Sequence, residues 1–221
     1  MSQLHAIIVG FGPGNGVGIA TAFAREGFAL SLLARSPERQ SGSALALRQR
    51  GAALEMFSAD AAQPTSLRAG IQAAMARFGS PEVLVYNVAV PVGGKPSMID
   101  PAALTADFNA NVSGALVAAQ AVLPDMLQRK AGALLFTGGS WALTPSAQFT
   151  SLSLSKAALR ALTFTLAEEL RGTGVRAGTV TLFGAVRAGG DLDPLKVGQA
   201  FVDLYHQPAE TFPVEIQFGR S

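Results

Sequence analysis

Short apolar runs alternate with longer helical patterns along nearly the whole chain, and no other feature constrains the fold as tightly. The runs 5–9 (HAIIV), 28–34 (FALSLLA), 53–57 (ALEMF), 82–88 (EVLVYNV), 133–138 (ALLFTG), 174–182 (GVRAGTVTL) and 214–218 (VEIQF) read as about seven strands. Helical spacing fills 17–26, about 38–50, 64–78, 101–130, 151–171 and the segment from Pro194. Pro64 and Pro194 are starts, and Gly27 and Gly79 are stops. Strands that are apolar throughout are buried on both faces. The pattern therefore predicts an α/β fold: a doubly wound parallel sheet of the Rossmann type, in three α/β/α layers. In such sheets ligands bind beyond the carboxyl ends of the strands, so the loops there should hold the chemistry. No repeat or linker divides the chain, and one domain over 1–221 is expected.

Composition removes several classes of function. Hydrophobic residues make up 49% and charged ones 14%, which suits a core-rich domain. The 17 basic and 15 acidic residues leave too small an excess to attract nucleic acid. With no cysteine and only His5 and His206 as histidines, no metal site and no disulfide is expected, and a cytoplasmic protein fits. The N-terminus lacks the charge pattern of a signal peptide. No apolar run reads as long enough for a membrane span, so no membrane partner is expected.

After the first strand comes 10-GFGPGNGVGIA-20. Glycines between a strand and a helix let the backbone turn tightly and approach a pyrophosphate, which the free N–H groups of the helix then bind. Gly12, Gly16 and Gly18 carry the spacing, and Asn15 lies among them. The second strand ends in 34-ARSP-37, with Arg35 where an acid would meet a free ribose hydroxyl. Arginine binds phosphate in a bidentate manner, so NADP(H) is favoured over NAD(H).

In this order of motifs the sequence resembles the short-chain dehydrogenase/reductase family over nearly its whole length. The resemblance matches the glycine spacing to Gly12, Gly16 and Gly18, an adenine-contacting Asp to Asp60, and one Asn of an N-N-A-G stretch to Asn87 in 86-YNVA-89. It also matches the active-site Asn to Asn111, the catalytic Ser, with a one-residue shift, to Ser140, and the catalytic Lys to Lys156. It implies that Lys156 holds the nicotinamide ribose and lowers the pKa of a neighbouring tyrosine. That tyrosine, four residues before the lysine, is Leu152 here. The alternative spacing of seven residues reaches Phe149, which has the ring without the hydroxyl. Tyr205 reads as a packing residue. Tyr86 reads as a packed strand residue or, less simply, as a substitute acid. Lys156 itself and a water held by Ser140 or Asn111 remain as other proton donors.

The segment 183-FGAVRAGGDLD-193 is shorter than the substrate-covering loop the resemblance implies. Trp141, Leu143, Phe149 and Leu152 suggest an apolar substrate face, with Trp141 near the nicotinamide. A Ser140 hydrolase is a poor fit, because Ala142 breaks the G-x-S-x-G elbow. The resemblance implies a homodimer or homotetramer formed through the helices around 101–130 and 151–171. Together these readings point to hydride transfer between nicotinamide and a small apolar carbonyl or enone. The alternative is a non-catalytic dinucleotide-binding protein, acting as a sensor or as the partner of an active homologue.

Overall fold

The computed structural model describes residues 3–90 and 92–220. The ends of the expected domain, residues 1, 2 and 221, lie outside them. Seven strands form one sheet: β1 (His5–Val9), β2 (Ala29–Ala34), β3 (Leu54–Ser58), β4 (Val83–Tyr86), β5 (Gly132–Gly139), β6 (Val175–Leu182) and β7 (Glu215–Phe218). The order is β3-β2-β1-β4-β5-β6-β7, and every neighbouring pair is parallel. The winding reverses between β1 and β4, which opens a crevice at their carboxyl ends.

The helices are α1 (Asn15–Arg25), α2 (Ser41–Gln49), α3 (Pro64–Phe78), α4 (Pro101–Phe108), α5 (Gly114–Arg129), α6 (Thr150–Glu169) and α7 (Pro194–Tyr205). They cover both faces of the sheet, as the unbroken apolar strands require. Along β1, Ala6 and Ile8 pack with Phe23, Leu30, Leu32 and Phe201 on one side. Ile7 and Val9 pack with Leu33, Ile71, Leu84 and Phe136 on the other. Proline opens α3, α4 and α7, and the Asp100 and Asp193 side chains accept from Ala102 N and Leu195 N to cap the last two. The Arg160 guanidinium donates to both carboxylate oxygens of Glu215 at 2.8–3.1 Å, tying α6 to the sheet edge.

Three features depart from the sequence expectation. The helix expected over 38–50 is a 3-10 turn, Pro37–Gln40, followed by α2, because Pro37 starts a tighter turn ahead of it. The helix expected over 101–130 is α4 and α5 joined by a π turn, Asn109–Ser113. Gly114 follows the turn, and a side chain there would overlap the Tyr86 hydroxyl and the Ala61 carbonyl, so α5 lies close on the sheet. The stretch Pro101–Arg129 also passes for a membrane span by length and composition, with a mean hydropathy of 1.2. Asp107 and Asp125 leave an uncharged interval between them, longer than the sequence reading allowed. Half of that window is buried in the fold, with Ala115, Ala118, Val122 and Met126 packed on the sheet.

Candidate active site

The groove at the winding reversal has a volume of about 800 Å³. Its floor is the loop Gly10–Asn15, and its walls come from the ends of β2, β3 and β4. Gly10, at φ 83°, occupies a left-handed conformation, and a side chain there would press on the Asn87 backbone at 3.0 Å. Nothing lies within 4 Å of where a Gly12 side chain would be, so the loop is open at that point. At Gly16 a side chain would meet the Phe11 backbone at 3.1 Å, so the loop folds directly onto α1. Gly18, expected at the cofactor, also has a packing role. A side chain there would overlap the Pro194 carbonyl, and one at Gly198 would overlap the Gly18 carbonyl. These glycines bring α1 and α7 into close contact.

Asn15 is the first residue of α1 and lines the groove, and its buried Oδ1 has no hydrogen-bond partner among the described residues. Arg35 is exposed on the rim, and Arg39 stands beside it with Ser36 and Gln40. Among the described residues neither arginine is paired with a carboxylate. The sequence reading missed Arg39. Its signal was Pro37, whose 3-10 turn folds Arg39 back over the groove.

Asp60 also lines the groove. Its Oδ1 accepts from Ala62 N at 2.9 Å, and its own N–H donates to the Ser66 hydroxyl, which shapes the turn before α3. Asn87 has both ends of its amide engaged. Nδ2 donates to the Gly10 carbonyl at 3.1 Å, and Oδ1 accepts from the Thr137 hydroxyl at 2.9 Å. It stitches β4 to the glycine loop and to β5, so it acts on the groove by positioning that loop.

The residues of the expected catalytic set lie past this groove. Asn111 sits in the π turn, 1% exposed. Its Oδ1 accepts from Val90 N at 2.9 Å, and its Nδ2 is buried without a partner. π turns recur at functional sites because they re-aim one side chain without breaking the helix. Lys156, 6% exposed, lies inside α6, where Nζ donates to the Thr137 carbonyl at 2.6 Å. Burial lowers its pKa to about 8. Thr137 thus holds both Asn87 and Lys156, a role the sequence reading did not assign. Its signal was a single polar residue near the carboxyl end of an apolar strand.

Ser140 begins a 3-10 turn, Ser140–Ala142, and its hydroxyl has no hydrogen bond among the described residues. A side chain at the preceding residue, Gly139, would lie 3.6–3.7 Å from the lysine stem. Leu152 is 6% exposed, one turn before Lys156 on the same helix. Tyr86 is fully buried, and its hydroxyl donates to the Ala110 carbonyl. Burial, with the nearby Asp60 charge, pushes its pKa far up, which agrees with the packing role and removes it as an acid. Trp141 is absent from the groove lining and stacks on Phe149, with centroids 4.6 Å apart and planes at 15°.

A parallel sheet with a glycine-floored crevice at its winding reversal defines a nucleotide-binding α/β protein of the doubly wound class. Residues 4–188 match the family model of the short chain dehydrogenases. The chain is 32% identical over 182 residues to 2-(S)-hydroxypropyl-CoM dehydrogenase 3 of Xanthobacter autotrophicus, covering 80% of this chain and 71% of that protein. It is 35% identical over 180 residues to oxidoreductase UcpA of Escherichia coli K12, covering 79% of this chain and 66% of that one. Among solved structures, a metagenomic short-chain oxidoreductase in complex with NADP superposes with a TM-score of 0.89 at 26% identity, over 98% of this chain and 97% of that one. The protein belongs to the short-chain dehydrogenase family and is an oxidoreductase of that type.

Proposed function

We propose that the chain binds NADP(H) and reduces a small apolar carbonyl or enone with an atypical proton supply. The observation that carries this reading is the groove rim, where Arg35 and Arg39 lie together without an acidic partner among the described residues. Such a pair suits a 2′-phosphate and offers nothing specific to a free hydroxyl. The N-terminus of α1 and the open backbone at Gly12 suit a pyrophosphate, and the unpartnered Asn15 Oδ1 suits a ribose hydroxyl. The bound nicotinamide would supply or accept the hydride. Lys156 would hold a positive charge beneath the reacting oxygen, Ser140 would orient that oxygen, and Asn111 would anchor a water. Replacing Arg35 by Ala tests the cofactor half: calorimetry should show weaker NADPH binding with NADH unchanged, and equal loss for both would refute the phosphate role.

A second reading is a non-catalytic binding protein. It is favoured by Leu152 at the acid's place together with the engaged Tyr86 hydroxyl. An absence of turnover across ketones, enones and quinones, with NADPH binding intact, would select it. In either case we propose a cytoplasmic homodimer or homotetramer. Phe108 and Leu116 on α4 and α5, and Leu154 and Phe164 on α6, are 37–50% exposed, and Ala157 and Ala161 beside them permit close approach. Light scattering behind size exclusion should show at least twice the chain mass, and a monomer would refute the assembly.

A further inference from the structure

We propose that the hydride acceptor of this site is a quinone, held flat beside the Trp141–Phe149 pair and reduced without a side-chain acid. This deepens the reading above and rests on it.

The first observation is a shortage of phenols. The chain has only two tyrosines. Tyr86 spends its hydroxyl on the Ala110 carbonyl inside the core. Tyr205 lies on α7, edge-on to Phe23 and Phe28. The position one turn before Lys156 is the hydrocarbon Leu152. The Lys156 ammonium donates to the Thr137 carbonyl. It supplies a positive charge to the site.

The second observation concerns which acceptors tolerate such a site. Reduction of an ordinary ketone creates an alkoxide, whose proton is held, as in water, up to about pH 16, so proton transfer must accompany the hydride. A quinone becomes a phenolate, whose proton is held only to about pH 10, close to that of a tyrosine. Aromatisation stabilises this anion, and a nearby ammonium suffices to hold it. The need for an acid at position 152 therefore disappears for this class and persists for an ordinary ketone.

The third observation is the shape beside the lysine. The turn 139–141 abuts the Lys156 stem at Gly139. Trp141 and Phe149 stack nearly parallel, and both are half-buried. The loop after β4 is latched to this pair, since Gly94 N donates to the Gln148 carbonyl at 2.8 Å and the Gly94 carbonyl accepts from Thr150 N at 3.3 Å. Leu143 and Val92 add exposed apolar surface on the two loops. An electron-poor planar ring stacks well on an indole.

The step balances. The quinone takes two electrons and one proton as hydride, while the dihydronicotinamide C–H bond breaks and the cofactor is oxidised. One ring oxygen gains O–H and the other becomes phenolate, which takes its proton from water.

Trp141 is the chain's single tryptophan, so binding can be read without turnover. Titration with 2-methyl-1,4-naphthoquinone in the presence of NADP should quench its fluorescence to saturation, whereas free N-acetyltryptophanamide shows only linear quenching. Phe149→Ala should weaken the saturable signal about tenfold. With NADPH, the naphthoquinone should turn over at least about a hundredfold faster than cyclohexanone, and Leu152→Tyr should narrow that ratio by speeding the ketone. Linear quenching alone, or equal turnover of the two acceptors, would overturn the proposal. Failure of NADPH to bind by calorimetry would instead sink the cofactor reading, and saturable quinone quenching without nucleotide would still separate the two.

Discussion

The two halves of the crevice are preserved to different degrees. On the β1–β4 side the groove combines a left-handed Gly10, an open Gly12, a helix start at Asn15 and a basic rim. On the β5–α6 side the set is uneven. Lys156 and Asn111 are buried and aimed by hydrogen bonds, the Ser140 hydroxyl has no hydrogen-bond partner among the described residues, and Leu152 is a hydrocarbon. The difference follows from what each half is made of. A dinucleotide groove is largely backbone, so glycines that shape it also shape the fold and are costly to change. A proton donor is one side chain, and a buried Leu in its place packs without loss.

The comparison can be broken most strongly at position 152. Leu152→Tyr should raise ketone reduction by about 10²–10⁴ if acid is the missing element. Unchanged turnover in a folded variant would place the defect elsewhere. The next largest effect lies on the other side. Gly18→Ala drives a methyl group into the Pro194 carbonyl, where backbone on both helices must shift. A loss of about 3 kcal/mol in denaturant unfolding is expected, because overpacking against backbone cannot be relieved by rotamers. Unaltered stability would show that α1 and α7 are less closely docked than described.

Arg35→Ala should weaken NADPH about tenfold to a hundredfold, the range for a charge-assisted contact. Arg39→Ala should do so to a lesser extent, and NADH should respond to neither. The smallest effect sharpens the lysine's part. The folded chain releases the Lys156 proton near pH 8, whereas an unfolded lysine keeps it to about 10.5. Across that window the unfolded state binds more protons, so stability should rise with pH, by less than about 1.4 kcal/mol per unit. In Lys156→Met this rise should vanish. An identical slope in the variant would show that the ammonium is solvated.

The seven strands were legible in the sequence because runs such as HAIIV and ALLFTG are apolar on both faces and can only be central. The π turn at Asn109–Ser113 was not, since it adds one residue within a helical period and leaves no compositional mark. Asn111, which lies in it, still stood out in the sequence, because an Asn inside an apolar helix is out of place. The close approach of Gly18 to α7 was not legible, because its partner lies more than 170 positions away in sequence. The end of β5 was also misplaced, since the strand runs one residue further than its apolar pattern suggests. Arg39 was hidden by reading its 3-10 turn as helix. In each miss the deciding contact is non-local or turns on a single residue of register.

The most direct test of the contrast between the two halves is a calorimetric titration of the wild-type chain with NADPH and with NADH. The account predicts micromolar binding of NADPH and distinctly weaker binding of NADH. No heat with either nucleotide, from a folded sample, would mean that the glycine loop shapes a fold and no longer a cofactor site.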